Sequence, residues 1–378
     1  MNNPSGNAAR NGSGISGDAP SRGAELPVRG EPGKPARQDS RPVFIQAMWR
    51  TGSTYIWKKF REQAKYRAYY EPLHHSLVKN RAENLAEHSA AVVASLRHPR
   101  VEHFYFAEFP FTVSGGAAFF EKALSYERYC LAERENDEAL HRYITYLIEF
   151  ARLHGQTPAL QLNRGMLRAG WLTRNFQPIN LLLLRRPANV WKSFLSFESH
   201  SFTTLFTMVM GQNQHRAPLH QLPRWVEIPH HTGPSFEEEY AYYRPIAVEL
   251  ETQLYPVFFD FYLLAILHSA RTADCILDLD ELSTSARARR AATERLDELG
   301  IRLDLEDCAL PGYRLTEQER RAWGAHEDYA LSFLPHLLPA ECILPREIRS
   351  AHQGMLSGYF EELFHRFTLR ESALAACT

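Results

Sequence analysis

The segment INLLLLRRPANVWKSFLSF, beginning at Ile179, limits the possible folds more than any other stretch of the chain. Ile179 to Leu184 form an apolar run that stops abruptly at Arg185, Arg186 and Pro187. A short run of this kind, without polar alternation, predicts a strand buried on both faces, as parallel sheets require. Pro187 then falls in the first turn of a helix whose inner side carries Val190, Trp191 and Phe194. Strand, break and helix in this order predict an α/β chain built on a central parallel sheet with flanking helices.

The same pattern occurs earlier. PVFIQAM, Pro42 to Met48, is a second strand of this type, and ordered structure is expected to begin near Arg41. In the following STYIWKKFREQAKY, Ile56, Trp57 and Phe60 share one helical face. Between strand and helix lie Arg50, Thr51, Gly52, Ser53 and Thr54. A tight loop feeding a helix N-terminus points free N–H groups outward, and the helix dipole adds partial positive charge, which makes an anion cradle. Gly52 lets the backbone approach a ligand, Ser53 and Thr54 can cap the helix or donate to phosphate oxygens, and Arg50 offers a planar fork of donors. Taken alone, the loop fits a capped turn equally well. It lacks the first glycine and the lysine of GxxxxGK[ST], so it is a P-loop-like strand-loop-helix and not an ordinary nucleotide-triphosphatase loop.

Arg185 stands at the carboxyl end of its strand, where open α/β sheets bind ligands, and Ser193 lies eight residues on. By itself that pair reads more readily as surface arginines bounding a core strand. Together, RTGST at Arg50 to Thr54 and Arg185 with Ser193 resemble the two cofactor motifs of sulfotransferases that use 3′-phosphoadenosine-5′-phosphosulfate (PAPS). The resemblance implies a sulfotransferase-like P-loop fold, with the loop around the 5′-phosphosulfate and Arg185 and Ser193 on the 3′-phosphate. Arg186 stands where that family more often has Asp. YYEPLHHSL, Tyr69 to Leu77, is similar to a YEP segment of the carbohydrate sulfotransferases, which makes Glu71 the candidate general base and a carbohydrate or glycolipid hydroxyl the implied acceptor. A looser similarity, in CILDLDELS from Cys275, extends the match to about residue 305.

Sulfonyl transfer suits such an inventory. A hydroxyl nucleophile needs a base within hydrogen-bond reach, and charge on the departing phosphate needs cations and N–H donors, a role that suits Arg50 and the loop backbone. His74 and His75, close to Glu71 in sequence, compete with it as base. Asn163, Arg164 and Arg168, in LQLNRGMLRAGWLTRNF, either line the cleft or form a solvated basic face, the two arginines being four apart on an expected helix.

The remaining sequence sets bounds. The 378 residues are 44% hydrophobic and 23% charged with net charge −1, which suits a globular protein and gives no global basicity for nucleic acid. Five scattered cysteines favour reduced thiols in a cytoplasm. No transmembrane segment is expected, because YPVFFDFYLLAIL is short, carries Asp260 and reads as a buried helix. Residues 1–40 read as a disordered tail whose GSGISG follows no strand and is no dinucleotide motif. Residues 41–312 form the expected α/β domain, with an insertion at about 200–270 serving as lid or substrate element, and 313–378 a helical extension. The segment Phe202 to Pro234 lacks periodicity, and its histidines lack metal spacing. A helix pair broken near Pro245 or Pro256 is expected next. Two other functions stay open: a nucleotide-dependent phosphotransferase, although Lys58 and Lys59 lie too far into the helix to replace a loop lysine, and a non-catalytic binding protein on the same fold.

Overall fold

Strands β1 (Val43–Gln46), β2 (Tyr66–Tyr69), β3 (Thr157–Leu162), β4 (Ile179–Leu184) and β5 (Cys275–Asp278) form one sheet in the order β2-β3-β1-β4-β5. Every pairing is parallel, with Gln46 of β1 opposite Leu162 of β3 and Leu182 of β4. The structure is a computed structural model that describes residues 41–79, 104–197, 199–337, 344 and 346–368. The expected N-terminal tail therefore lies outside the described residues.

The helices are α1 (Ser53–Arg61), α2 (Glu138–Leu153), α3 (Ala169–Phe176), α4 (Pro187–Leu195), α5 (Ser201–Asn213) and α6 (Phe236–Leu250). They continue as α7 (Leu254–Ala270), α8 (Leu279–Thr284), α9 (Ala286–Glu298), α10 (Glu317–Leu337), α11 (Arg346–Ala351) and α12 (Gly358–Thr368). β1 is buried along its whole length, which explains its unbroken apolar sequence. Alternate leucines of β4 enter two cores: Leu181 and Leu183 join the core that α1, α2 and α9 cover, and Leu182 and Leu184 join the one beneath α4, α5 and α7.

The strand order has a functional consequence. From β1 the chain builds β2 and β3 on one side, then crosses to build β4 and β5 on the other. Such a reversal opens a crevice outside the carboxyl ends of the strands, here those of β1 and β4.

Two sequence expectations change, and the expected helix break is located. Ser201–Asn213 is a helix, not an irregular lid, and it is buried from Phe206 through Asn213 without a break, so it has no polar face to generate a period. The break in the next helical stretch falls at Glu251–Gln253, just before Pro256, whereas Pro245 stays inside α6. Arg164 and Arg168 share no helical face, because Arg164 lies in a turn after β3 and Arg168 ends the 3₁₀ turn Met166–Arg168. Among the described residues, one helical stretch, Phe236–Ala270, has the length and apolarity of a membrane span, but 72% of its most apolar window is buried inside the protein. Asp260 within it is itself buried and bonded to Trp225 and His326, so α7 is a core helix of the fold.

Candidate functional site

The residues that leave the strands at their carboxyl ends meet in the crevice. After β1 the loop turns through Arg50 (φ 66°) and Gly52 (φ 94°), both in the left-handed region. Thr51 Oγ1 donates to Met48 O at 2.7 Å and closes the turn. Only glycine fits at position 52: besides the positive φ, a Cβ there would lie 2.7 Å from Leu279 Cδ1 and 2.9 Å from Leu310 Cδ1. Gly52 is also the N-cap of α1, which has no side-chain cap and no acidic residue in its first turn. The first-turn N–H groups of α1 thus keep their positive end for a ligand.

Two arginines flank this loop. Arg50 Nε donates to Ser193 Oγ of α4 at 2.9 Å, and its guanidinium lies over the rings of Phe197 and Phe202, with Tyr313 nearby. Burial pulls the Arg50 pKa below its ordinary value, and the nearby Arg185 adds to the effect. Arg185, only 3% exposed, donates through Nη1 to Arg50 O at 3.1 Å, through Nη2 to Pro311 O, and through Nε to Asp280 Oδ1 at 3.3 Å. Asp280 Oδ2 also accepts from Arg186 N and Asn189 Nδ2, both at 2.9 Å, so it ties down the start of α4.

A second cluster forms where β2 and β3 end. Glu71 follows β2 with φ 38°, and its carboxylate is 11% exposed. Its Oε2 accepts from Arg164 Nη1 at 2.6 Å and its Oε1 from Asn163 Nδ2 at 2.9 Å. Arg164 Nη2 donates to Tyr126 Oη at 2.8 Å, with the guanidinium over the rings of Trp49 and Tyr126. Burial alone would pull the Arg164 pKa down, but Tyr126 and Glu71 more than reverse it and hold the group above its ordinary value. Burial likewise pushes the Tyr70 hydroxyl well up, and Tyr70 links the clusters: it precedes Glu71, bonds to Thr54 and feels both Glu71 and Arg50. Among the described residues only five other than glycine have positive φ, and Arg50 and Glu71 are two of them. Backbone strain of this kind persists where the surrounding structure fixes it, and it gathers at functional sites.

Several sequence-predicted residues take other positions. Ser53 does not cap α1; its hydroxyl is buried and accepts from Gln161 Nε2 at 2.8 Å. Thr51 and Ser53 therefore face inward, and Thr54 alone of the loop hydroxyls stands beside the second cluster. Ser193 meets Arg50, whereas Arg185 meets Asp280. Arg168 is fully buried, binds the carbonyls of Leu124 and Tyr129, and has its pKa pulled down to about 10 by burial; it braces the 124–129 segment. His74 Nδ1 accepts from Ser76 N, and His75 is stacked on Phe236 with Nδ1 3.2 Å from Tyr126 Oη. Asp280, Tyr126, Pro311 and Tyr313 escape sequence reasoning. Asp280, two residues beyond β5, had a signal in its strand-end position; the other three had none, because their partners are distant in sequence.

Comparison of the chain with protein-family models, with curated proteins and with solved structures found no match.

Proposed function

We propose that this protein is a sulfotransferase that moves the sulfonate of 3′-phosphoadenosine-5′-phosphosulfate to an acceptor hydroxyl, of a carbohydrate or glycolipid. The observation that carries the reading is the convergence, at one carboxyl edge of a parallel sheet, of Arg50 and Arg185 around an uncapped helix N-terminus, with the paired carboxylate of Glu71 on the neighbouring strand ends. Loop motif and Arg185 with Ser193 support a sulfotransferase-like P-loop fold. The donor set suits a phosphate-type anion: first-turn N–H groups, two guanidinium forks and the Thr54 hydroxyl, on a turn that Gly52 permits by its positive φ and its close packing against Leu279 and Leu310.

When bound, PAPS supplies an electrophilic sulfonate on a phosphate leaving group. In this reading Arg50, the backbone of Thr51 to Thr54 and the Thr54 hydroxyl hold the phosphosulfate end, and Arg185 with Ser193 holds the 3′-phosphate. Arg50 would offset charge developing on the leaving phosphate. Glu71 accepts the acceptor's proton, because two buried donors aim its carboxylate and ionised oxygens keep further lone pairs for a hydroxyl. Arg164 and Asn163 act through Glu71 as positioning residues. His74 and His75 are less suited to the role, since each has a ring nitrogen engaged at a local partner. A cytoplasmic setting accords with the free, buried thiols of Cys130, Cys275 and Cys308. The phosphotransferase alternative is weakened because Lys58 pairs with Glu62 at 3.3 Å and Lys59 with Asp307 at 2.7 Å, both engaged on α1 itself or its far neighbour.

Calorimetry with adenosine 3′,5′-bisphosphate, beside ATP with magnesium, tests the proposal. Wild type should bind the bisphosphate and Arg185→Ala should bind it at least about tenfold more weakly, since a charge-assisted hydrogen bond is worth roughly 1.5–3 kcal/mol. A preference for ATP with magnesium, or bisphosphate binding indifferent to Arg185, refutes it.

A further inference from the structure

One short segment, Asp307 to Tyr313, touches every part of the anion cradle. Leu310 sets its methyl groups against Gly52, Pro311 O takes a donor of Arg185, and Tyr313 stands beside Arg50 with its ring 5.5 Å from the Arg185 guanidinium. The segment's first half is firmly tied. Asp307 Oδ1 accepts from Tyr55 Oη and Lys59 Nζ, each at 2.7 Å, and Leu310 N donates to Ser283 Oγ at 3.0 Å. Its second half differs, because Pro311 and Gly312 are exposed and no atom would lie within 4 Å of a Cβ at Gly312.

The polar contacts of the second half are made to the two groups that an incoming anion needs. Pro311 O takes a donor at Nη2 of Arg185, beside the one that Arg50 O takes at Nη1, and a guanidinium uses such donors to grip a phosphate. A carbonyl carries only a partial charge, so a phosphate dianion competes well for the same donors.

We propose that this strap is a built-in occupant of the cradle, and that its Pro311 to Tyr313 end swings out about Gly312 to admit a phosphate or phosphosulfate group. The inference rests on the anion-binding reading above. It makes the strap a gate: the apparent affinity for the anion is the intrinsic one reduced by the fraction of molecules with the strap open. It also makes Tyr313 a latch residue, whose loss should improve binding.

The test uses the full chain as wild type, Tyr313→Phe, Tyr313→Ala and Arg185→Ala. Adenosine 3′,5′-bisphosphate and pyrophosphate are titrated by calorimetry, and trypsin cleavage after the exposed Arg314 is followed by mass spectrometry. Each latch variant should bind the bisphosphate roughly two- to tenfold more tightly than wild type, as expected for one neutral hydrogen bond or its equivalent in packing. Bisphosphate should speed the Arg314 cut in wild type. Tighter binding by latch variants where wild type shows none also supports the gate. If wild type binds in an Arg185-dependent way and the latch variants bind equally or more weakly, with slower cleavage on binding, the strap is a wall of the ligand site and the gate is wrong while the cradle stands. If neither wild type nor any latch variant binds either anion, cradle and gate fall together.

Discussion

The pair Glu71 and Arg164 offers the most direct test of the site, because its strength follows from its burial. The side chains are 11% and 2% exposed and meet at 2.6 Å. Removing one partner of such a pair leaves an uncompensated charge and costs roughly 3–5 kcal/mol. Arg164→Met fills much of the volume with a flexible apolar chain, so the lost stability reports the stranded Glu71 carboxylate, which keeps only Asn163 at 2.9 Å. Glu71→Gln should cost roughly 2–4 kcal/mol, because the amide oxygen can still accept from Arg164 but the buried guanidinium loses its counter-charge. The double variant has no buried unpaired charge on either side. It should therefore be more stable than Arg164→Met alone, by about 2 kcal/mol. Urea unfolding with linear extrapolation reads all four corners of the cycle. An Arg164→Met cost below about 1 kcal/mol, or a double variant no more stable than that single one, would refute a buried, charge-compensated Glu71.

Three further expectations follow from single positions. Gly52→Ala should cost about 2–4 kcal/mol in urea unfolding, about 1 for the positive φ and the rest for overpacking against Leu279 and Leu310; a cost under about 0.5 kcal/mol would mean the turn is built differently. Burial pushes the Glu327 carboxyl up, although Tyr255 and Tyr359 donate to it. The folded state then binds the extra proton, so wild-type stability should fall relative to Glu327→Gln as pH rises from the ordinary carboxylate range through the raised pKa, and parallel pH profiles would contradict this. Pro245 sits exposed inside α6, where proline costs roughly 3 kcal/mol, partly offset by about 1 kcal/mol from a stiffer unfolded chain; Pro245→Ala should raise stability by about 2 kcal/mol, and no gain in thermal or urea unfolding would count against it.

Legibility followed how local each signal was. β1 and β4 were readable because a strand covered on both faces must be apolar throughout, and their terminal residues were readable as site candidates because a strand's carboxyl end fixes where the next side chains go. Arg50 and Arg185 were found this way, whereas Glu71 was a candidate through its similarity to the YEP segment, and Asn163 and Arg164 were expected on a helix. The hidden parts depend on distant partners: Tyr126 reaches Arg164 across 38 residues and Pro311 reaches Arg185 across 126. Helix α5 was hidden for the opposite reason, because a helix buried all round carries no period to detect. The inward turn of Ser53 was hidden because Gln161, on β3, decides it.

Asp280 changes how charge is distributed in the crevice. Two helices, α1 and α4, start beside the β1 and β4 ends, and either N-terminus could in principle draw an anion. At α4 that position is already filled from within: Asp280 accepts from Arg186 N, from Asn189 and from Arg185 Nε, so a resident carboxylate meets the helix dipole and one edge of the arginine. At α1 no acidic residue and no side-chain cap does the same. The unneutralised positive field therefore lies at α1 and Arg50, next to Tyr70 and Glu71. In the proposed reaction that is the side on which the leaving phosphate gains charge and the base must stand. The strain accepted at Arg50 and Glu71, roughly 1–2 kcal/mol for each left-handed residue, falls on the two side chains assigned to those tasks.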